Sequence, residues 1–172
     1  MRKIGILTYI KEYANIGTNM QAYCTLKAVQ SQFPHDQVEI IDYSGWKPEK
    51  RPSLYNLSLR SLMNDFTRIR KYDDFFMRNF VFSPGHLISG DLKESLSFIR
   101  SQEYDAIFVG SDTLLELKRA KPDELTAYWL DSTIKAKKFL VAASSLNVVF
   151  DELTVKQRET IRRTLMDYSL LG

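Results

Sequence analysis

The richest chemistry in this 172-residue chain lies in Gly110-Ser111-Asp112-Thr113. A glycine there lets backbone approach a bound molecule closely, and the Ser111 and Thr113 hydroxyls and amides suit a carboxylate or phosphate. Asp112 can accept hydrogen bonds from sugar hydroxyls or act as a base. Read alone, such a tetrapeptide is also an ordinary turn with a helix cap. A second polar stretch, Asn15 to Gln21, offers Gly17, Asn19 and Gln21 at the start of a helical pattern. Ser144 and Ser145 close another β-rich run, and their plainer reading is a turn. Asp42 ends the run Val38 to Tyr43, where an acid can accept a ribose hydroxyl. Gly17 nevertheless stands alone where a dinucleotide fingerprint needs three glycines, and no Walker A lysine follows. His86 falls in a loop with no partner visible in the sequence, which makes it an exposed histidine rather than a general base. Cys24, the only cysteine, sits inside a helical pattern and reads as a buried, inert thiol.

These residues need elements to hold them. Ile4 to Tyr9 is a continuous apolar, β-rich run of the kind a strand buried on both faces requires. It passes through a polar loop, Lys11 to Gly17, into a helical pattern with Met20, Tyr23, Cys24, Leu26 and Val29. Val38 to Tyr43 predicts a second strand, Tyr104 to Gly110 a third and Phe139 to Ala143 a fourth. Leu59, Leu62, Met63, Phe66, Ile69, Tyr72, Phe76 and Phe80 recur at helical steps and predict a long amphipathic helix whose aromatic stripe packs into the core. Asp91 is placed to cap a short helix containing Leu92, Leu96 and Ile99. Asp151 to Leu171 reads as a terminal helix with Thr154 ahead of Val155. Ser44 to Asn56 and Lys118 to Asp123 read as surface excursions, the first with basic residues beside the site.

Alternating β and α patterns predict an α/β domain with a Rossmann-like parallel sheet flanked by helices, residues 1–172 as one unit. In such sheets ligands bind where loops leave the carboxyl ends of the strands, so Gly17, Asn19, Asp112 and Ser144 are expected to face one crevice. An apolar fraction of 44% is ordinary for a soluble domain. A net charge of +3, with Lys and Arg scattered among Asp and Glu, argues against a nucleic-acid surface. No apolar run reaches the roughly 20 residues of a membrane span and no signal peptide precedes the first strand, so a cytoplasmic location is expected.

Taken together the runs resemble the polysaccharide pyruvyl transferase family. The matching pieces are Lys3 to Tyr9, Asn15-Ile16-Gly17-Thr18-Asn19-Met20-Gln21-Ala22-Tyr23, Val38 to Tyr43, Tyr104 to Asp112, Tyr128-Trp129-Leu130 and Ala142-Ala143-Ser144-Ser145, in order along nearly the whole chain. The family pattern usually continues past Gly-Ser-Asp with Gln and an aromatic residue, whereas Thr113, Leu114 and Leu115 stand here. The resemblance implies the N-terminal half of a two-domain, GT-B-type arrangement. It also implies transfer of a pyruvyl ketal from phosphoenolpyruvate, the donor substrate, to a sugar of a cell-surface polysaccharide, with no resident cofactor or metal. Carried over by position, Gly17, Asn19 and Gln21 line the crevice from the first loop, Gly110, Ser111, Asp112 and Thr113 from the third strand, and Ser144 and Ser145 from the fourth. Asp112 would be the polar group nearest the acceptor sugar. The donor-binding residues would come from a second domain, leaving this chain inactive alone. The competing expectation is a non-catalytic sugar- or nucleotide-binding domain of the same fold, or one that docks another subunit or a second copy.

Overall fold

Strand β1 (Lys3–Leu7) forms where β-branched and apolar residues run without interruption, and it is buried on both faces. Ile4 and Ile6 point to one side of the sheet, while Gly5 and Leu7 point to the other. A Cβ on Gly5 would meet the Ile41 side chain at 2.9 Å and the Tyr104 ring at 3.0 Å, so a larger residue there requires those side chains to shift. The computed structural model describes residues 1–11, 15–47, 59–117, 120–146 and 148–171. The polar loop expected between Lys11 and Gly17, the basic Lys50–Arg51 stretch and the start of the Lys118 excursion therefore lie partly or wholly outside the described residues.

Helix α1 (Ile16–Gln32) follows β1 and leads to β2 (Gln37–Ile40). The two-residue strand β3 (Tyr43–Ser44), helix α2 (Leu59–Asn79), strand β4 (Leu87–Ile88) and helix α3 (Leu92–Ser101) come next. Then follow β5 (Ala106–Asp112), β6 (Lys137–Ala143), α4 (Val155–Met166) and β7 (Leu170–Leu171). The main sheet is five-stranded and parallel throughout, in the order β2-β1-β5-β6-β7. That is the 2-1-3-4-5 order of doubly wound sheets, a Rossmann-like parallel α/β arrangement whose strand order reverses between β1 and β5. The apolar residues of α1 and α2 (Ala22, Leu26, Val29, Phe76), with Phe80 just past the end of α2, cover one face with Ile4, Ile6, Val38 and Ile40. Those of α3 and α4 (Leu96, Ile99, Ile161) cover the other with Leu7, Ile107, Val109 and Leu140.

The helix ends follow their local chemistry. Asp91 Oδ1 accepts from the Glu94 amide at 2.9 Å, as a helix N-cap should. Thr154 and Gln157 form a reciprocal capping box at the start of α4. Charged groups are also used at the amino edge of the sheet. Glu39, buried on β2, accepts from Tyr104 Oη and Gln37 Nε2, both at 2.8 Å. Lys138 is buried against Asp167 and donates to the Asp131 carbonyl at 2.7 Å.

The structure departs from the sequence reading in identifiable places. The terminal segment is not helical to Leu171. It stops at Met166, the Ser169 amide bonds the Lys138 carbonyl at 2.8 Å, and Leu170 pairs with Phe139 as a fifth strand. Edge pairing outweighs helical spacing there. Cys24 is exposed rather than buried, because α1 turns Thr18, Ala22, Leu26 and Val29 inward and leaves Cys24 on its flank. Met63 and Phe66 of the α2 stripe are also exposed, and the core takes Phe76 from its last turns and Phe80 from just beyond its end. The small parallel pair β3–β4 was not foreseen. No helix among the described residues is long and apolar enough to cross a membrane.

Candidate functional site

The strand order reverses between β1 and β5, and the carboxyl ends of those two strands are the place a ligand is expected in an open α/β sheet. Asp112, the last residue of β5, stands there with φ of 114°, a conformation that side chains adopt only when their surroundings hold them. What holds it is visible. Its Oδ2 accepts from Thr18 Oγ1 at 2.8 Å and its Oδ1 from the Thr113 amide at 2.7 Å, while its carbonyl accepts from the Ser144 amide at 2.8 Å. The chain thus ties α1, β5 and the end of β6 together through one residue. A carboxylate has about four acceptor positions, so two bonds leave capacity for a ligand hydroxyl.

The neighbouring residues extend this arrangement. Ser111 accepts at its carbonyl from Thr8 Oγ1 at 3.2 Å, and its hydroxyl lies 3.3 Å from Thr25 Oγ1 on α1. The Thr113 carbonyl accepts from Tyr9 Oη at 3.2 Å. Gly110 has φ of 145° and packs so tightly on β6 that a Cβ would fall 1.8 Å from the Val141 carbonyl oxygen. Ser144 accepts at Oγ from the Leu146 amide at 3.0 Å and at its carbonyl from the Leu115 amide, also at 3.0 Å. The Ser145 carbonyl takes the Val148 amide at 3.2 Å.

Among the first-loop residues, Asn15 caps α1 by accepting the Thr18 amide, and Asn19 donates from Nδ2 to the Asn15 carbonyl at 3.2 Å. Asn19 is buried and lines a cleft of about 520 Å³ between α1 and α2. Gly17 and Gln21 lie on the other flank of α1, where with Ser111, Phe108 and Val141 they line an apolar groove of about 560 Å³. The structure therefore brings the strand ends of β5 and β6 to the start of α1, and sets Asn19 on one side of that helix and Gly17 and Gln21 on the other. Leu114 and Leu115, which stand where an aromatic contact is expected by resemblance, are buried. An aromatic group lies close by instead. Tyr9, Trp46 and Tyr128 pack edge to face, with Tyr9 to Trp46 at 4.6 Å and Tyr9 to Tyr128 at 5.0 Å, and Trp46 is partly exposed.

Sequence reasoning missed a second polar cluster on the same edge. Asp42, just beyond β2, receives Lys11 Nζ at 2.8 Å on both carboxylate oxygens, and His86 Nδ1 lies 3.0 Å from its Oδ1. The loop histidine thus has a partner after all. It was invisible in the sequence because the bridge from Ile40 to Phe82, which lays 82–88 along 40–44, is itself nonlocal. Thr18 was likewise passed over, although a hydroxyl beside Gly17 at a helix start was the available signal. Among the described residues no group of three or more His, Cys, Asp or Glu could hold a metal ion. Compared with protein-family models, curated proteins and solved structures, the chain matches none.

Proposed function

We propose that this chain is the acceptor-side, Rossmann-like half of a pyruvyl transferase of the polysaccharide-modifying kind, with a GT-B-like two-domain cleft and a cytoplasmic location. The single observation that carries the reading is the convergence on Asp112: the start of α1, the Gly110-Ser111-Asp112-Thr113 strand end and Ser144 meet at the reversal point of a parallel sheet. Those are the segments through which the chain resembles that family. In this reading Asp112 accepts a hydrogen bond from the sugar hydroxyl that attacks the pyruvyl carbon, orienting its oxygen toward the donor. Trp46, beside Tyr9, supplies an apolar surface for a sugar ring. Phosphoenolpyruvate is held by groups of a second domain.

The test is glycan-dependent phosphate release from phosphoenolpyruvate by the complete product of the gene, compared with its Asp112→Asn variant. Loss of about 100-fold or more in turnover with the fold intact is expected, the scale of a positioned polar group in a transition state. Absence of any ketal transfer to a broad glycan panel would overturn the reading, and so would full turnover by residues 1–172 alone.

A second reading is favoured by one specific feature. The α1 face of β5 and β6 carries Phe108 stacked on Phe139 at 4.8 Å, with Val141 beside them, under the partly open apolar groove. Parallel sheets are normally covered on both faces, so a subunit-docking or sugar- or nucleotide-binding domain without catalysis also fits. Concentration-dependent dimerisation with no sugar binding would select it.

A further inference from the structure

The Lys11, Asp42 and His86 cluster comes from separate parts of the chain, and each part is independently fixed. Asp42 is 9% exposed, and its amide donates to Ser83 Oγ at 2.9 Å. Its carbonyl accepts the Leu87 amide at 3.0 Å, which pins the residue next to His86. The Ser83 amide in turn bonds the Ile40 carbonyl at 2.8 Å, so the histidine loop is tied on both sides of His86 to the end of β2 and the residues just after it. Lys11 adopts φ of 63°, and its ammonium lies over the Phe82 ring at 4.4 Å while pairing with Asp42. A buried carboxylate flanked by a lysine and a histidine is thus assembled at the carboxyl edge.

A carboxylate oxygen 3.0 Å from Nδ1 favours the tautomer that carries its N–H on that nitrogen, with Nε2 the basic one. The His86 side chain is 48% exposed, and with Nδ1 turned to Asp42 the other ring nitrogen, Nε2, is the one the dyad offers to a ligand. We propose that Asp42 and His86 form a proton-transfer dyad acting on a hydroxyl-bearing ligand bound along this edge, with Lys11, bonded to both carboxylate oxygens, as a positioning residue that holds Asp42 in place. In the transfer the ligand O–H bond breaks, the oxygen keeps the electron pair and the proton forms the Nε2–H bond. The resulting imidazolium is held by Asp42 through Nδ1–H. The reverse step returns the proton. The choice of a hydroxylated ligand rests on the function proposed above, whereas the dyad rests on the cluster alone.

The chain has two histidines, and His35 is exposed, which provides an internal control. Long-range nitrogen–proton NMR of the labelled protein, at a pH well above the ordinary imidazole value of about 6.5, reads each tautomer directly. His86 is expected as a single Nδ1–H tautomer beside a mixed His35, and Asp42→Asn should remove that preference. A mixed or Nε2–H His86 in the unsubstituted protein overturns the dyad without recourse to a variant. A panel of methyl hexopyranosides is then titrated. Movement of the His86 Nε2 resonance with His35 unmoved, together with the Asp112 and Thr113 amides, supports both proposals. Movement at Asp112 and Thr113 alone overturns the dyad's role and leaves the acceptor site standing, movement at His86 alone does the converse, and no movement at either counts against both.

Discussion

Replacing Asp112 with glycine should destabilise the protein less than replacing it with alanine, the reverse of the usual order at a strand position. At φ of 114° a residue with a Cβ stores about 1–3 kcal/mol of backbone strain. Both substitutions remove the bonds from Thr18 Oγ1 and the Thr113 amide, a loss of about 2 kcal/mol at a partly solvated carboxylate. Alanine keeps the strain, so that loss stands. Glycine releases the strain and returns only about 0.5–1 kcal/mol in unfolded-chain entropy. The glycine variant is therefore expected to be the more stable of the two by about 1 kcal/mol. Urea unfolding followed by circular dichroism measures this directly, provided the slopes of the two transitions agree. If alanine equals or exceeds glycine in stability, the strain assigned to Asp112 is not there, and the claim that its bonds to Thr18, Thr113 and Ser144 hold it in that conformation loses its support.

Other outcomes follow from the same geometry. Gly110→Ala should destabilise by about 3 kcal/mol or more, seen as a large fall in melting temperature, since its Cβ would land on the β6 backbone. Burial raises the Tyr104 and Tyr168 hydroxyls well above the ordinary tyrosine value, aided by Glu39 and Asp167 respectively, and burial raises Tyr43 as well. A group raised in the folded state contributes stability that is full below the unfolded value and lost above it, so stability should fall as pH rises past about 10. Absorbance titration should show these tyrosines ionising only as the chain unfolds. Cys24 should react with a thiol reagent in the native protein at nearly the rate of the denatured chain, and strong native protection would contradict its exposed position.

The parts of the fold that could be read from the sequence are those set by local pattern. β1, β5 and β6 are long apolar runs, α3 announces itself through Asp91, and the start of α4 through Thr154 and Gln157. What could not be read depends on partners distant in the chain. Leu170 becomes a strand only because β6 offers an edge, and Tyr43–Ser44 pairs with Leu87–Ile88 across forty-odd residues, about the same gap that hides Asp42 from His86. The strand-end residues Asp112, Ser111 and Ser144 were legible because a parallel sheet gathers its strand ends on one edge. Thr18 and Lys11 were not, since their roles come from backbone direction: Thr18 from the Asn15 cap that orients the first turn of α1, Lys11 from a left-handed residue that turns its ammonium onto Asp42. Cys24 shows the limit of counting apolar residues on a helix, because α1 buries Thr18 and Asn19 in preference to it.

The most direct test of the central claim is hydrogen–deuterium exchange of residues 1–172 with and without a saturating oligosaccharide acceptor. The account predicts that exchange slows together at 15–21, at 110–113 and at 144–145, which are separate in sequence and joined only at the carboxyl edge. Slowing confined to the amino edge around Glu39 and Lys138, or no slowing at any of the three segments under saturating ligand, would contradict it.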